Sequence, residues 1–282
     1  VMVAFMLGLA LRQMAELAEL MGEENDYLAR YEAMKETVNR VAWDGEWYAR
    51  ATMDDGRFLG VKREPMAKIW LNAQTWAVLS GMAPAQRAHQ AMDSVRRYLN
   101  TPLGIKKIDP AMADYPTPED PLTYYNKGCG ENGSVFCHAN AWAVIAECLL
   151  GRGERAWEYY SQLLPMNAQA KAGEWRYKAE PYVYSSNIFG PESDKFGLAN
   201  VSWLTGTAAW MYVAFTQYLL GVKPVWGGLS IEPCLPPQWE SIEITRIFRG
   251  CRYHIRVKNG EKLFIPHEEG RTHYERTDDT TI

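Results

Sequence analysis

The sequence predicts a mainly helical protein that ends in a small β-rich part, and three observations carry that class. Apolar residues recur at helical spacing as far as about residue 220. The helices follow one another in pairs with no strand between them, as in a bundle, a solenoid or half of a helical toroid. From Pro224 the texture changes to short alternating strands. With 282 residues and 47% hydrophobic content the chain can bury a large core. Residues 1–223 are expected to form the helical unit, and 224–282 a β-rich unit that is incomplete.

Met2 to Gly22 reads as the first helix: Leu7, Leu11, Met14, Ala18 and Met21 keep helical spacing while Gln13, Glu16 and Glu19 fall on the other side. The apolar run from Val1 to Leu11 is too short to span a bilayer and lacks a preceding basic stretch, so it reads as neither membrane span nor signal peptide. A helix already under way at Val1 is expected to continue from upstream protein. Asn25-Asp26 can cap a second helix running to about Val41. Further helices are expected at 66–80 and, after Pro84, at 86–99. Residues 101–130 are long, Pro-rich and irregular, a pattern usually tied to function. Helices at 134–150 and 153–164 follow, then a loop over 165–199 and a helix over 203–220. Strands are expected around Leu229–Ile231, Ile242–Thr245 and Tyr253–Val257, with a frayed polar tail after Asn259.

Composition excludes several roles. Thirty basic against 34 acidic residues leave a net charge of -4, which gives no footprint for nucleic acid or an anionic membrane. Cys129, Cys137, Cys148, Cys234 and Cys251 are an odd set without Cys-x-x-Cys spacing, which points to a reducing, cytoplasmic setting rather than to disulfides or zinc. His267, His273, Glu268 and Glu269 read as solvated tail, so no metal is expected. Eleven Trp and 16 Tyr are a heavy aromatic load; most belong to the core, and flat faces also suit sugar rings.

Two segments concentrate chemistry. In Glu131-Asn132-Gly133-Ser134 a carboxylate and an amide precede an apolar helical run that carries His138 one turn in. Such residues serve either as caps with a core histidine or as an anion and hydroxyl site. Thr205-Gly206-Thr207 opens the last helix with hydroxyls and N–H groups, fit for an N-cap or for holding phosphate. Cys137 and His138, adjacent on a helix, diverge by about 100° and make a poor nucleophilic dyad.

Residues 127–142, from Lys127-Gly128-Cys129 through Glu131-Asn132-Gly133-Ser134 and Phe136-Cys137-His138 to Trp142, resemble the Glu-Asn-Gly signature of glycoside hydrolase family ninety-four, the cellobiose and chitobiose phosphorylases. Trp203-Leu204-Thr205-Gly206-Thr207-Ala208 and Glu180-Pro181-Tyr182-Val183-Tyr184 resemble two more of its segments, as do Trp43 to Tyr48 and Asn72 to Trp76. The resemblance covers nearly the whole chain. It implies the second half of an (α/α)6 toroid followed by a small β domain, with His138, Thr205 and Gly206 binding phosphate and Glu131, Asn132, Glu180 and Tyr182 near the sugar.

By the same resemblance the general-acid aspartate belongs to a Trp-Asn-Asp motif just upstream of the first helix, and no such motif occurs here. The implied reaction is inverting phosphorolysis of a β-linked disaccharide or oligosaccharide by inorganic phosphate to an α-sugar 1-phosphate, with no cofactor and a homodimeric enzyme. The chain alone is then expected to be inactive. Gly130 stands where cellobiose phosphorylases commonly have lysine, and Ser185-Ser186 where many relatives have Ala-Gln, so the acceptor need not be glucose. Two other readings compete: an inverting toroid hydrolase using Glu131 or Glu180 as general base, and a sugar-binding fragment without catalysis.

Overall fold

The computed structural model describes residues 1–112, 125–269 and 273–275, and over these the chain is mainly helical with small sheets at its C-terminal end. Helices α1 (Met2–Met21) and α2 (Tyr27–Val41) form an antiparallel pair. Gly22, at φ 69°, closes α1: its N–H and that of Glu23 reach back to the carbonyls of Glu19 and Ala18. A small hairpin, β1 (Ala51–Thr52) with β2 (Phe58–Leu59), leads to β3 (Ile69–Trp70) and the second pair, α3 (Leu71–Leu79) and α4 (Ala85–Leu99). Short strands β4 (Asn100–Thr101), β5 (Gly104–Ile105) and β6 (Ile108–Asp109) follow, β6 pairing with β3.

After β7 (Val135–Phe136) comes the third pair, α5 (Cys137–Leu149) and α6 (Gly153–Leu163). Next are α7 (Pro165–Ala172), α8 (Glu174–Tyr177), β8 (Ser185–Ile188), β9 (Ala199–Ser202) and α9 (Thr207–Val213), which runs on as a π-helical turn over Ala214–Leu219.

The pairs stack in two layers. Helix α1 packs on α3, α3 on α5 and α5 on α9, while α2, α4 and α6 each back their own partner. The division follows from sequence. Eight of the nine residues of α3 are buried, and in α5 every residue from Cys137 to Glu147 except His138 is buried. Helices apolar on all sides belong between layers, whereas α4 and α6 carry one apolar stripe and one solvated face.

The C-terminal part is two three-stranded sheets. One has the order β10 (Val222–Val225), β11 (Gly228–Ile231), β14 (Leu263–Pro266); the other joins β12 (Ser241–Phe248), β13 (Cys251–Lys258) and β15 (His273–Glu275). Along β13 Cys251, Tyr253, Ile255 and Val257 point inward at period two, and they form a separate core with Val222, Leu229, Ile231 and Ile265. All pairings are antiparallel except that of β15 with β13.

Five expectations are corrected. The loop over 165–199 contains two helices and a strand, which the sequence hides because each is short. The helix expected at 66–80 starts at Leu71, since Ile69–Trp70 pairs with Ile108–Asp109. The helix expected from 134 starts at Cys137, since Val135–Phe136 pairs with β8, and the last helix starts at Thr207. The tail after Asn259 is not all frayed: Leu263–Pro266 is a paired strand with Ile265 buried. Pro116, Pro118 and Pro121 lie outside the described residues, as does the tail over 276–282.

Near its C-terminal end α5 carries a fully buried Glu147, flanked at 3.6 Å by Arg152 and Arg155, which also bind Asp93. Neither carboxylate oxygen accepts a hydrogen bond. Burial therefore outweighs the two guanidiniums and raises the carboxyl to about 7. A raised acid contributes stability in its protonated form and loses it as pH climbs through the folded value. Urea denaturation across pH 4.5 to about 7 should show wild type losing roughly 3 kcal/mol relative to Glu147→Gln. A difference that stays flat with pH would contradict this account.

Candidate active site

A three-stranded sheet, β7-β8-β9, draws the distant motifs together. Val135 and Phe136 pair with Ile188 and Asn187, and β8 pairs in turn with β9, from Ser185 opposite Ser202 to Ile188 opposite Ala199. Strand β7 feeds directly into α5 and His138, and β9 feeds into Thr205 and Gly206. The Glu180–Tyr184 block enters β8 from the same end. The end of β9 and the turn after it hold Val201 (φ 55°) and Trp203 (φ 70°) in the left-handed region, at a cost of order 1 kcal/mol each.

The outcome is contact between two segments far apart in the chain. A methyl group added to Gly206 would lie 3.5 Å from His138 Cε1 and 3.6 Å from its Nδ1, so Gly206 lets the backbone turn approach the imidazole closely. Thr205 Oγ1 accepts from the Thr207 N–H at 3.2 Å and lies 2.6 Å from Thr207 Oγ1, which fixes the turn. His138 stacks at a tilt on Trp142 (4.8 Å between centroids) and Trp210 (6.0 Å). Its Nε2 is buried and has no hydrogen-bond partner among the described residues. Burial, then the Lys107 charge, hold the imidazole below its ordinary pKa, so it is neutral at pH 7 with one N–H to donate.

Other groups without a hydrogen-bond partner among the described residues lie on the facing helix α3 and on α5 itself. Trp76 Nε1, Asn72 Oδ1 and Trp142 Nε1 are also buried without partners, and Trp76 meets Trp142 edge-on at 5.2 Å. Asn72 and Trp76 are one turn apart on α3, as His138 and Trp142 are on α5. Gln74 points elsewhere and is spent on the backbone of Tyr48 and Trp70. Several polar atoms left unmatched in a native interior call for an explanation, and a polar ligand supplies one.

The remaining sequence-predicted residues separate into two kinds. Glu131 sits beside the motif helix, its side chain 47% exposed and its Oε2 2.6 Å from Lys107 Nζ. Asn132 is fully buried; its amide accepts from the Met112 N–H (2.7 Å) and donates to the carbonyls of Tyr125 (2.8 Å) and Met112 (3.3 Å). That arrangement braces the loop that carries Glu131. Glu180 accepts from Trp203 Nε1 at 3.1 Å, and its backbone and indole hydrogen bonds hold the carboxyl below the usual range. Tyr182, 76% exposed, stands on an open rim rather than inside a closed pocket. Cys137 is fully buried beside Ser185, with its thiol pushed up to about 12, so it is no nucleophile.

Lys107 is the residue that the sequence reading missed. Its N–H donates to Ser134 O, its carbonyl accepts from Leu71 N–H, and its ammonium lies 4.3 Å from the Phe136 ring centroid. The side chain is only 8% exposed, and burial lowers its pKa against the pull of Glu131. Lys106 is buried as well, and nothing local in the Lys106-Lys107 pair marks either lysine as buried.

The fold is thus a double layer of paired helices that brings a neutral histidine, a Thr-Gly turn and buried indoles together at the N-terminal end of α5. The chain belongs to the glycosyl hydrolase 94 superfamily, whose catalytic-domain profile matches residues 1–221; the glycosyl hydrolase family 65 C-terminal domain matches 224–271. It is 37% identical over 254 residues to solabiose phosphorylase of Paenibacillus borealis, covering 89% of this chain and 33% of that one. To N,N'-diacetylchitobiose phosphorylase of Vibrio proteolyticus it is 39% identical over 270 residues, covering 93% and 33%. It therefore spans about a third of the length of these relatives. A solved structure named a sialidase shares the fold at a TM-score of 0.57 and 11% identity, covering 92% of this chain and 23% of that one.

The ion pair gives an asymmetric prediction. Glu131→Gln strands a buried cation and should lower stability by about 3 kcal/mol at pH 7, whereas Lys107→Met leaves a half-exposed carboxylate and should cost about 1 kcal/mol. Urea midpoints measure both; equal losses would refute the asymmetry.

Proposed function

We propose that the complete polypeptide is an inverting disaccharide phosphorylase, in which inorganic phosphate attacks the anomeric carbon of a β-linked glucoside and releases an α-sugar 1-phosphate. The observation that carries this is the approach of Gly206 to the His138 ring, with Thr205 fixed beside it. His138, Thr205 and Gly206 would aim the phosphate, which is positioning and charge stabilisation. Glu131, Glu180 and Tyr182 would meet the sugar, with Asn132 bracing the loop that carries Glu131. The general acid would come from protein outside this chain, so the chain alone would bind without turning over. A cytoplasmic homodimer without a cofactor completes the reading; the described cysteines are all free, and no helix among the described residues is long and apolar enough to cross a membrane.

Phosphate is already a nucleophile, so the site needs no base. An inverting hydrolase needs a second carboxylate about 6.5–9.5 Å from the acid to activate water. Glu180 is a poor base because its carboxyl is held low, and Glu131 is engaged by Lys107.

The direct test is phosphate release from α-glucose 1-phosphate with glucose, N-acetylglucosamine, gluconate and short β-glucans as acceptors. It would compare this chain with a polypeptide extended upstream to the relatives' length. Acceptor-dependent release by the extended protein alone is expected; no release with any acceptor would favour a hydrolase or a binding role. In the extended protein His138→Ala should raise the KM for phosphate about tenfold or more while leaving the KM for sugar nearly unchanged. Equal effects on both would remove His138 from the phosphate site.

A further inference from the structure

We infer that Lys107 is a positioning residue of this site: its buried ammonium, acting through Glu131, fixes the carboxylate that meets the sugar. This rests on the phosphorylase reading for the identity of the ligands, though the geometry stands without it. Three observations carry it. The lysine backbone is clamped on both sides, by Ser134 of the motif turn and by Leu71 at the start of α3, so the stem has a fixed origin. The ammonium is held between the Phe136 ring face (4.3 Å) and Glu131 Oε2 (2.6 Å), with the side chain almost wholly out of solvent. Glu131, by contrast, is half exposed, so the pair has a dry cationic end and an open anionic end.

That polarity has a chemical meaning. A carboxylate on a free surface turns through many rotamers, and ordering it on ligand binding costs entropy. Here one oxygen is pinned from inside, so the carboxylate is pre-oriented as a hydroxyl acceptor at no further cost when a sugar arrives. Removing the lysine should weaken sugar binding while leaving the chemical step alone. The charge also bears on phosphate. His138 is packed by the uncharged rings of Trp142 and Trp210 and by Gly206, and Lys107 is the charged group felt at its imidazole, where it opposes protonation.

Two readouts test this separately. In the chain itself, the His138 Cε1–H resonance, assigned through His138→Gln, is titrated by carbon-edited NMR in wild type, Lys107→Met and Lys107→Arg. Lys107→Met should raise the His138 midpoint, and Lys107→Arg should hold it near wild type. An unmoved midpoint in Lys107→Met would overturn the electrostatic part. In the extended protein, Lys107→Met should raise the KM for the acceptor sugar about tenfold with kcat and the KM for sugar 1-phosphate within about twofold, and Lys107→Arg should recover part of the loss. Parallel losses in all three parameters would show a merely structural lysine and overturn the proposal. If wild-type extended protein shows no turnover, the phosphorylase reading fails while the NMR arm still decides whether Lys107 sets the charge at His138.

Discussion

Nearly everything in the helical unit depends on the burial of α5. Between its first residue, Cys137, and Glu147 it has no solvated face, and it is packed by α3, α6 and α9. A helix so enclosed can carry polar residues only where they find partners, and those partners organise the surroundings. Asn140 shows how. Its Oδ1 accepts from the Ile105 N–H (2.7 Å) and its Nδ2 donates to the carbonyls of Ile105 and Phe136 (both 3.0 Å). One buried amide thus fixes β5 against α5, and the next residues of the chain, Lys106 and Lys107, are carried to the mouth of the helix.

The two ends of α5 then differ in kind. At the C-terminal end Glu147 is enclosed beside Arg152 and Arg155, which also bind Asp93, a network whose cost depends on pH. At the N-terminal end His138 is left with an unpaired Nε2 and aromatic neighbours. The first arrangement is closed on itself and serves the fold. Both ends leave buried polar atoms without a hydrogen-bond partner among the described residues, but Glu147 has two guanidiniums 3.6 Å away to offset its charge, whereas His138 Nε2 has only aromatic rings and the Gly206 turn beside it.

Most of this architecture was legible in the sequence because it rests on long periodic helices. Apolar spacing in α1, α4 and α6 marks one buried face, and the small and apolar residues on every side of α3 and α5, broken by few polar ones, mark the inner layer. What escaped is made of pieces too short to show a period. Strands β7, β8 and β9 have two to four residues each, and only pairing across the chain makes them a sheet. The motif residues were visible by type, but their roles were set by burial. Asn132 and Glu131 are neighbours in sequence, yet one is locked inside the loop and the other half open. Lys107 became visible only when Ser134 and Leu71 were seen to clamp its backbone.

The charge around the motif bears on which chemistry the frame suits. Lys107 and Glu131 neutralise each other, and His138 is held neutral by burial and by that same lysine. An anion that entered here would be held by neutral donors, the imidazole N–H and the Thr205-Gly206 turn, rather than by a salt bridge from this chain. Neutral donors orient an anion without quenching its charge, which preserves nucleophilicity. In the proposed mechanism a compensating cation for a phosphate dianion would be supplied, like the acid, by protein outside this chain. On that argument the nucleophile's orientation and its charge neutralisation are divided between different parts of the polypeptide, so neither part would be expected to hold phosphate tightly by itself.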